Sequence, residues 1–173
     1  MVTMKLETAL IEKIKNILTF RFLTENELEK LMKISVIQNY GEGEKIISQG
    51  DVNQSFYAII EGSVKVTVSE NPQKEAYICT IGNGEIFGEA GIFMEVKRTA
   101  NVICLTDSIV LMVTRNAMIN FIKDHPRSGN KILMLIIYSL LKKLKEVNQE
   151  LAYERKSDAD QDDIDSIIAN FMD

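Results

Sequence analysis

Apolar residues recur along this chain with two different periods, and the changes between them mark out its elements. Over residues 5 to 18, Leu6, Ala9, Leu10, Ile14, Ile17 and Leu18 fall at mostly helical spacing, which predicts an amphipathic helix. A second helix is predicted from Thr24, whose hydroxyl can cap the first turn. Glu27 stands three residues on, as a capping box requires, and Leu28, Leu31 and Met32 then face inward. From Val36 to Val113 the pattern shortens to strands separated by turn residues at Gly41, Gly43, Gly50-Asp51, Gly62, Asn71-Pro72 and Gly82-Asn83-Gly84. Val64-Lys65-Val66-Thr67-Val68 alternates most cleanly, apolar on one face and polar on the other. Turns at this spacing suit an antiparallel roll or sandwich. Helical periodicity returns over Arg115 to Lys123 and from Arg127 to about Arg155.

The expected fold is therefore α+β: an antiparallel, jelly-roll-like β-roll with N-terminal helices and a long C-terminal helix. The expected organisation is a helical lead-in over 1–35, the roll with its following helices over 36–156, and an acidic tail over 157–173. In the long helix Leu133, Ile137, Leu140, Leu144, Val147 and Leu151 are separated by alternating four and three residues, the seam spacing of a coiled coil. Ile132, Leu135 and Ile136 add a second apolar face, so the first half should be buried on both sides. A parallel homodimer through this helix is expected, and packing of the whole stripe on its own domain is the alternative. In the tail, Asp158 to Asp163 should be solvated and flexible. Ile164, Ile167, Ile168 and Phe171 then follow at i, i+3, i+4 and i+7. An acidic linker ending in a short amphipathic helix has the form of a docking peptide, so residues 158–173 are a candidate contact for a protein effector. A helix folded back on the roll, or a simply disordered tail, is the plainer reading.

Composition narrows the function more than the fold. The chain has 173 residues, 46% hydrophobic and 26% charged, which suits one globular domain with a core of its own. No apolar run reaches membrane-spanning length and the N-terminus lacks a signal-peptide layout, so a cytoplasmic protein with no membrane contact is expected. The net charge of −5 owes much to Asp158, Asp160, Asp162, Asp163, Asp165 and Asp173, so the body is close to neutral and nucleic acid is not an expected partner. Cys79 and Cys104 sit in apolar strand-like runs without metal-ligand spacing and should be buried reduced thiols. With His125 as the only histidine, neither a histidine-rich metal centre nor a Ser/His/Asp or Cys/His set can be built, and no enzyme activity is expected.

One stretch carries chemistry: Ile86-Phe87-Gly88-Glu89-Ala90-Gly91-Ile92-Phe93-Met94-Glu95-Val96-Lys97-Arg98-Thr99-Ala100. It should enter as a strand, break at Phe87-Gly88-Glu89, make one helical turn from Ala90 to Met94 and return as a strand carrying Arg98 and Thr99. Gly88, Ala90 and Gly91 let backbone N–H groups approach an anion closely, and the planar fork of Arg98 can close on a phosphate from the other side. Glu89 is left to accept a hydroxyl proton. On the residues alone, a surface Glu–Arg pair beside an ordinary turn explains the pattern as well.

The stretch resembles the phosphate-binding cassette of the cyclic nucleotide-binding domain family, written as Phe-Gly-Glu, two small residues, a short helix, then Arg, a small or hydroxyl residue and Ala. Upstream, Gly43-Glu44-Lys45-Ile46-Ile47-Ser48-Gln49-Gly50-Asp51 and Ser55-Phe56-Tyr57-Ala58-Ile59-Ile60-Glu61-Gly62-Ser63-Val64-Lys65-Val66 resemble the family's entry strands and hairpin. The likeness spans roughly residues 20 to 155 and is that of a stand-alone, bacterial-type member without a DNA-binding domain. It implies cAMP as ligand, with cGMP as the alternative, and no metal. Ligand-binding residues would be Phe87, Gly88, Glu89, Ala90, Gly91, Arg98, Thr99 and Ala100, with Asn148 of the final helix reading the base. Arg98 and the N–H groups of Ala90 and Gly91 would hold the phosphate, and Glu89 the ribose 2′-OH. The resemblance implies a sensor that reports occupancy through its C-terminal helix. The competing expectation is a dimeric structural module that keeps the fold and binds nothing.

Overall fold

The structure, a computed structural model, describes residues 11–15, 17, 20, 22–71, 74–94 and 96–172; the side chains at 70 and 154–172 fall outside the description. By internal contacts the chain divides into two compact units, Met1–Ile136 and Ile137–Asp173, and each is taken by itself.

In the first unit, α1 (Glu25–Lys33) begins at the expected capping box. The Thr24 hydroxyl accepts from the Glu27 amide and the Thr24 amide donates to the Glu27 carboxylate at 2.8 Å. Two four-stranded sheets follow. One has the order β1 (Val36–Tyr40), β8 (Ser108–Thr114), β3 (Ser55–Glu61), β6 (Ile86–Phe87); the other β2 (Lys45–Ile47), β7 (Asn101–Cys104), β4 (Val64–Asn71), β5 (Lys74–Ile81). All paired strands are antiparallel, as a jelly-roll-like roll requires. Helices α2 (Ala90–Phe93), α3 (Arg115–Asp124) and α4 (Pro126–Met172) complete the order.

The core has two parts that meet at β3. Tyr57 and Ile59 face the roll interior with Ile47, Val64, Phe87, Val102 and Cys104, while Phe56, Ala58 and Ile60 face a second cluster with Ile14, Ile17, Leu28, Leu31, Met118, Phe121, Ile132 and Ile136. A strand buried on both faces reads as the near-continuous apolar run Phe56 to Ile60. Of the helix expected over residues 5 to 18, residues 11–15 are helical and Ile14 and Ile17 are buried; residues 5–10, 16 and 18 lie outside the described ones.

Two expectations are corrected here, at Cys79 and at 158–163. Thr67, on the polar face of β4, is buried: it stands opposite Asn101 on β7 and donates to the Glu75 carboxylate at 2.5 Å, so that face of β4 closes over a polar cluster. Cys79 is exposed while Cys104 is buried, because β5 is an edge strand paired only with β4 and bulges where Val66 faces Cys79 and Thr67 faces Tyr77. The backbone stays helical where a flexible linker was expected at 158–163, since the sequence offers no Gly or Pro after Gly129 to stop it. The side chains of the expected docking segment 158–173 lie outside the described residues.

In the second unit the seam residues Ile137, Leu140, Leu144, Val147 and Leu151 are all exposed, and Lys142 pairs with Glu146 one turn on. The apolar face of the first half of α4 is divided accordingly, with Ile132 and Ile136 fully buried in the first unit's core. Among the described residues, no helix is long and apolar enough to cross a membrane.

Candidate functional site

Strand β6 delivers the chain to the site. Its pairing with β3 sets Phe87 opposite Tyr57, and the two rings stack at 5.1 Å between centroids in the roll interior. Gly88 then turns the backbone with φ of +71°, a conformation that costs a residue with a Cβ. Glu89 is the N-cap of α2, whose turn is closed by Gly91 N–H to Gly88 O at 3.1 Å and Ile92 N–H to Glu89 O at 3.1 Å. The Gly91 amide is thus engaged within the turn, whereas the Ala90 amide is among the first-turn groups that a helix leaves without an internal acceptor.

The return is not a strand at Arg98 and Thr99, as expected, because β7 begins only at Asn101. Arg98 is instead stitched to the loop before β3: its N–H donates to Asp51 O at 2.8 Å, and its carbonyl accepts from Gly50 N–H at 2.8 Å. This pairing carries the guanidinium inward, where Arg98 is 8% exposed and Glu89 6%. Nη1 donates to Gly88 O at 2.9 Å and Nη2 to Ser55 O at 2.6 Å. Nε is buried and has no hydrogen-bond partner. Burial pushes the Arg98 pKa down, opposed by Tyr57, Glu89 and Asp51 close enough to act on it. Burial also pushes the Tyr57 hydroxyl up, and that hydroxyl accepts from Asn53 Nδ2 at 3.2 Å.

The glycines keep room around this cation. A Cβ on Gly91 would lie 2.8 Å from Arg98 Nη1 and 2.9 Å from the Asn53 carbonyl; one on Gly88 would lie 3.0 Å from Nη1. Of the residues expected to form the site, Phe87, Gly88, Glu89, Gly91 and Arg98 come together. Ala90 and Thr99 are exposed beside them and Ala100 is half-buried. Asn148 is exposed in the second unit. The sequence does not mark Ser55, Asn53 or Asp51 as site residues: Ser55 acts through its backbone carbonyl, which leaves no mark on residue type, and Asp51 and Asn53 read as ordinary loop residues.

The arrangement suits a small anion with a hydroxyl beside it. A guanidinium has five N–H donors; two are engaged here, by neutral carbonyls, which leaves charge and hydrogens for an oxyanion. Among the described residues, no group of three His, Cys, Asp or Glu side chains could hold a metal.

A family model described as a cyclic nucleotide-binding domain matches residues 37–125. A cGMP-dependent protein kinase of Drosophila melanogaster (isozyme 2, forms cD5/T2) is 32% identical over 109 residues, 59% of this chain and 12% of the kinase. The cyclic AMP receptor protein of Thermus thermophilus is 26% identical over 132 residues, 76% of this chain and 59% of the receptor. The chain thus spans about an eighth of the length of the kinase and 59% of that of the receptor. A cyclic nucleotide-binding domain from Methylobacillus flagellatus superposes with a TM-score of 0.72 at 20% identity, over 82% of this chain and 80% of that one, which supports the fold.

Proposed function

Because the chain belongs to the cyclic nucleotide-binding domain family, we propose that it is a sensor which binds a cyclic nucleotide, cAMP ahead of cGMP, in the cradle around Arg98. The observation that carries this reading is the Arg98 guanidinium, buried, hydrogen-bonded to the Gly88 and Ser55 carbonyls, with Nε unpartnered and the Glu89 and Asp51 carboxylates near enough to act on its charge. Left alone, such a group is a cost to the fold; a cyclic phosphodiester would repay it with a charge-assisted, two-point contact. Arg98 and the Ala90 amide take the phosphate oxygens, with the Gly91 amide joining if its bond to Gly88 O yields. Glu89 accepts the ribose 2′-OH, and Phe87 backs the turn from below. Thr99 and Ala100 line the return, where the Thr99 hydroxyl does not by itself choose the base. Preference for cAMP draws on the match to the receptor protein, which runs over more of the chain than the kinase match. Asn148 is the proposed reader of the base.

The output is a shift of α4, passed to a partner protein through residues 158–173. Such a signal needs the ligand to favour one helix position over another, since equal affinity for both moves nothing. The exposed seam, Leu144 at 56% among it, is proposed to close on a second copy as a parallel dimer. Light scattering at micromolar concentration tests this: a monomeric mass refutes the dimer, and Leu144→Asp should convert a dimer to monomer. Mass spectrometry of small molecules released on denaturing the purified protein, followed by calorimetry with both nucleotides, tests the sensor. Released cAMP supports it, and no binding of either nucleotide leaves the structural module.

A further inference from the structure

We infer that Gln49 and Asn101 form a side-chain clamp that positions Arg98 for its anion, an inference that rests on the reading of the Arg98 site above. Arg98 is seated by two backbone hydrogen bonds to Gly50 and Asp51, each 2.8 Å. That loop belongs to no strand, and Gly50 turns it with φ of +90°. Two backbone bonds to a loop fix a side chain only as well as the loop is fixed.

Asn101, the first residue of β7 and 5% exposed, fixes it. Its Oδ1 accepts from the Gln49 amide at 3.0 Å and from Lys45 Nζ at 3.2 Å. Its Nδ2 donates to Ser69 Oγ at 3.2 Å and to the Glu75 carboxylate at 3.4 Å. Both acceptor positions and both donor hydrogens are therefore used, which leaves the amide one orientation. The Gln49 side chain closes the clamp from the other side. Its Oε1 accepts from Ser69 N at 2.7 Å and its Nε2 donates to Ser69 O at 3.3 Å. β4 runs on past Thr67↔Asn101, its last pair with β7, and there the Gln49 amide pairs with the β4 backbone as a strand would. The loop is held by main chain and side chain one residue before the bonds that seat Arg98.

Neither residue is a partner of the guanidinium, so both act through the backbone. Their value to binding is precision: the Gly88 and Ser55 carbonyls fix one end of the arginine, the clamped loop fixes the other, and misplacement by about an ångström weakens recognition severalfold or more.

Calorimetric titration with cAMP and cGMP, paired with hydrogen exchange at single amides without nucleotide, tests the clamp in the parent and four variants. Gln49→Ala, which trims an exposed side chain, should bind about threefold to tenfold more weakly than the parent, and Asn101→Ala about tenfold or more weakly. In both, the Gly50 and Arg98 amides should exchange faster while those of β3 and β8 do not change. Asn101→Asp keeps an acceptor for the Gln49 amide but faces Glu75 with a second carboxylate, and should also bind weakly. Adding Glu75→Gln to it should restore binding to within about twofold, because a donor again meets an acceptor. Parent-level affinity in Gln49→Ala and Asn101→Ala overturns the inference. So does faster exchange spread evenly through both sheets, which marks a purely structural cluster. If the parent itself binds neither nucleotide, the sensor reading fails separately, and exchange at Gly50 and Arg98 still decides whether the clamp seats the arginine.

Discussion

At Glu27 the carboxylate meets the Lys131 ammonium at 2.9 Å, the Ser128 hydroxyl at 3.0 Å and the Thr24 amide at 2.8 Å, whereas at Arg98 the guanidinium donates to the carbonyls of Gly88 and Ser55, with the Glu89 and Asp51 charges acting on it. The consequences run in opposite directions. Lys131 first, then the Thr24 amide, hold the Glu27 pKa down at about 2, which is a charge made more secure by folding. Burial pushes the Arg98 pKa down, which is a charge made less secure. A charge whose task is to join α1 to the first turns of α4 is surrounded by groups that complete it. A buried charge whose hydrogen bonds go to neutral carbonyls, with one N–H spare, is the one we propose to be kept for a ligand.

Changes that treat the two charges alike should give different answers. Arg98→Ala should lower cyclic nucleotide affinity by about 2–5 kcal/mol, because a desolvated phosphate loses its only full positive partner, with little loss of melting temperature. A large drop in stability with unchanged affinity would make Arg98 a second Glu27. Gly91→Ala should weaken binding by about 1–3 kcal/mol, since the new methyl meets Nη1 and a backbone carbonyl that cannot easily retreat; calorimetry reads this directly.

Glu27→Gln should do the reverse, costing about 1–2 kcal/mol of stability at pH 7 and leaving affinity alone, as thermal melts and titration would show. Its pH dependence has a definite sign. A carboxylate with a lowered folded-state pKa stabilises fully above its ordinary value of 4.5 and loses that contribution as pH falls through about 2. The gap in melting temperature between parent and Glu27→Gln should therefore narrow from pH 4.5 to pH 2. Ser128→Ala removes one donor of several and should cost the least, about 0.5–1 kcal/mol.

The same two charges show what a sequence makes legible. Thr24 with Glu27, and Phe87-Gly88-Glu89 with Arg98, are local patterns whose spacing states their geometry, and both turns form where expected. The ties of Glu27 to Ser128 and Lys131 cross about a hundred residues, and no periodicity announces such a pairing. The burial of Thr67 was not legible because alternation tells which side chains share a face but not that a polar face will be covered; Asn101, Glu75 and Gln49 cover it. Cys79 misled because an apolar run on an edge strand looks the same as one in the middle of a sheet. Ser55 contributes a carbonyl, which every residue possesses, and Asp51 reads in the sequence as an ordinary turn residue.

The central claim, that Arg98 is buried to meet a cyclic phosphodiester, is tested most directly by titrating cAMP into the parent and into Arg98→Ala at equal concentration in a calorimeter. Saturable heat in the parent, with affinity more than about tenfold weaker in the variant, is the predicted result. Equal affinity in the two, or no heat from the parent with either cAMP or cGMP, would contradict it.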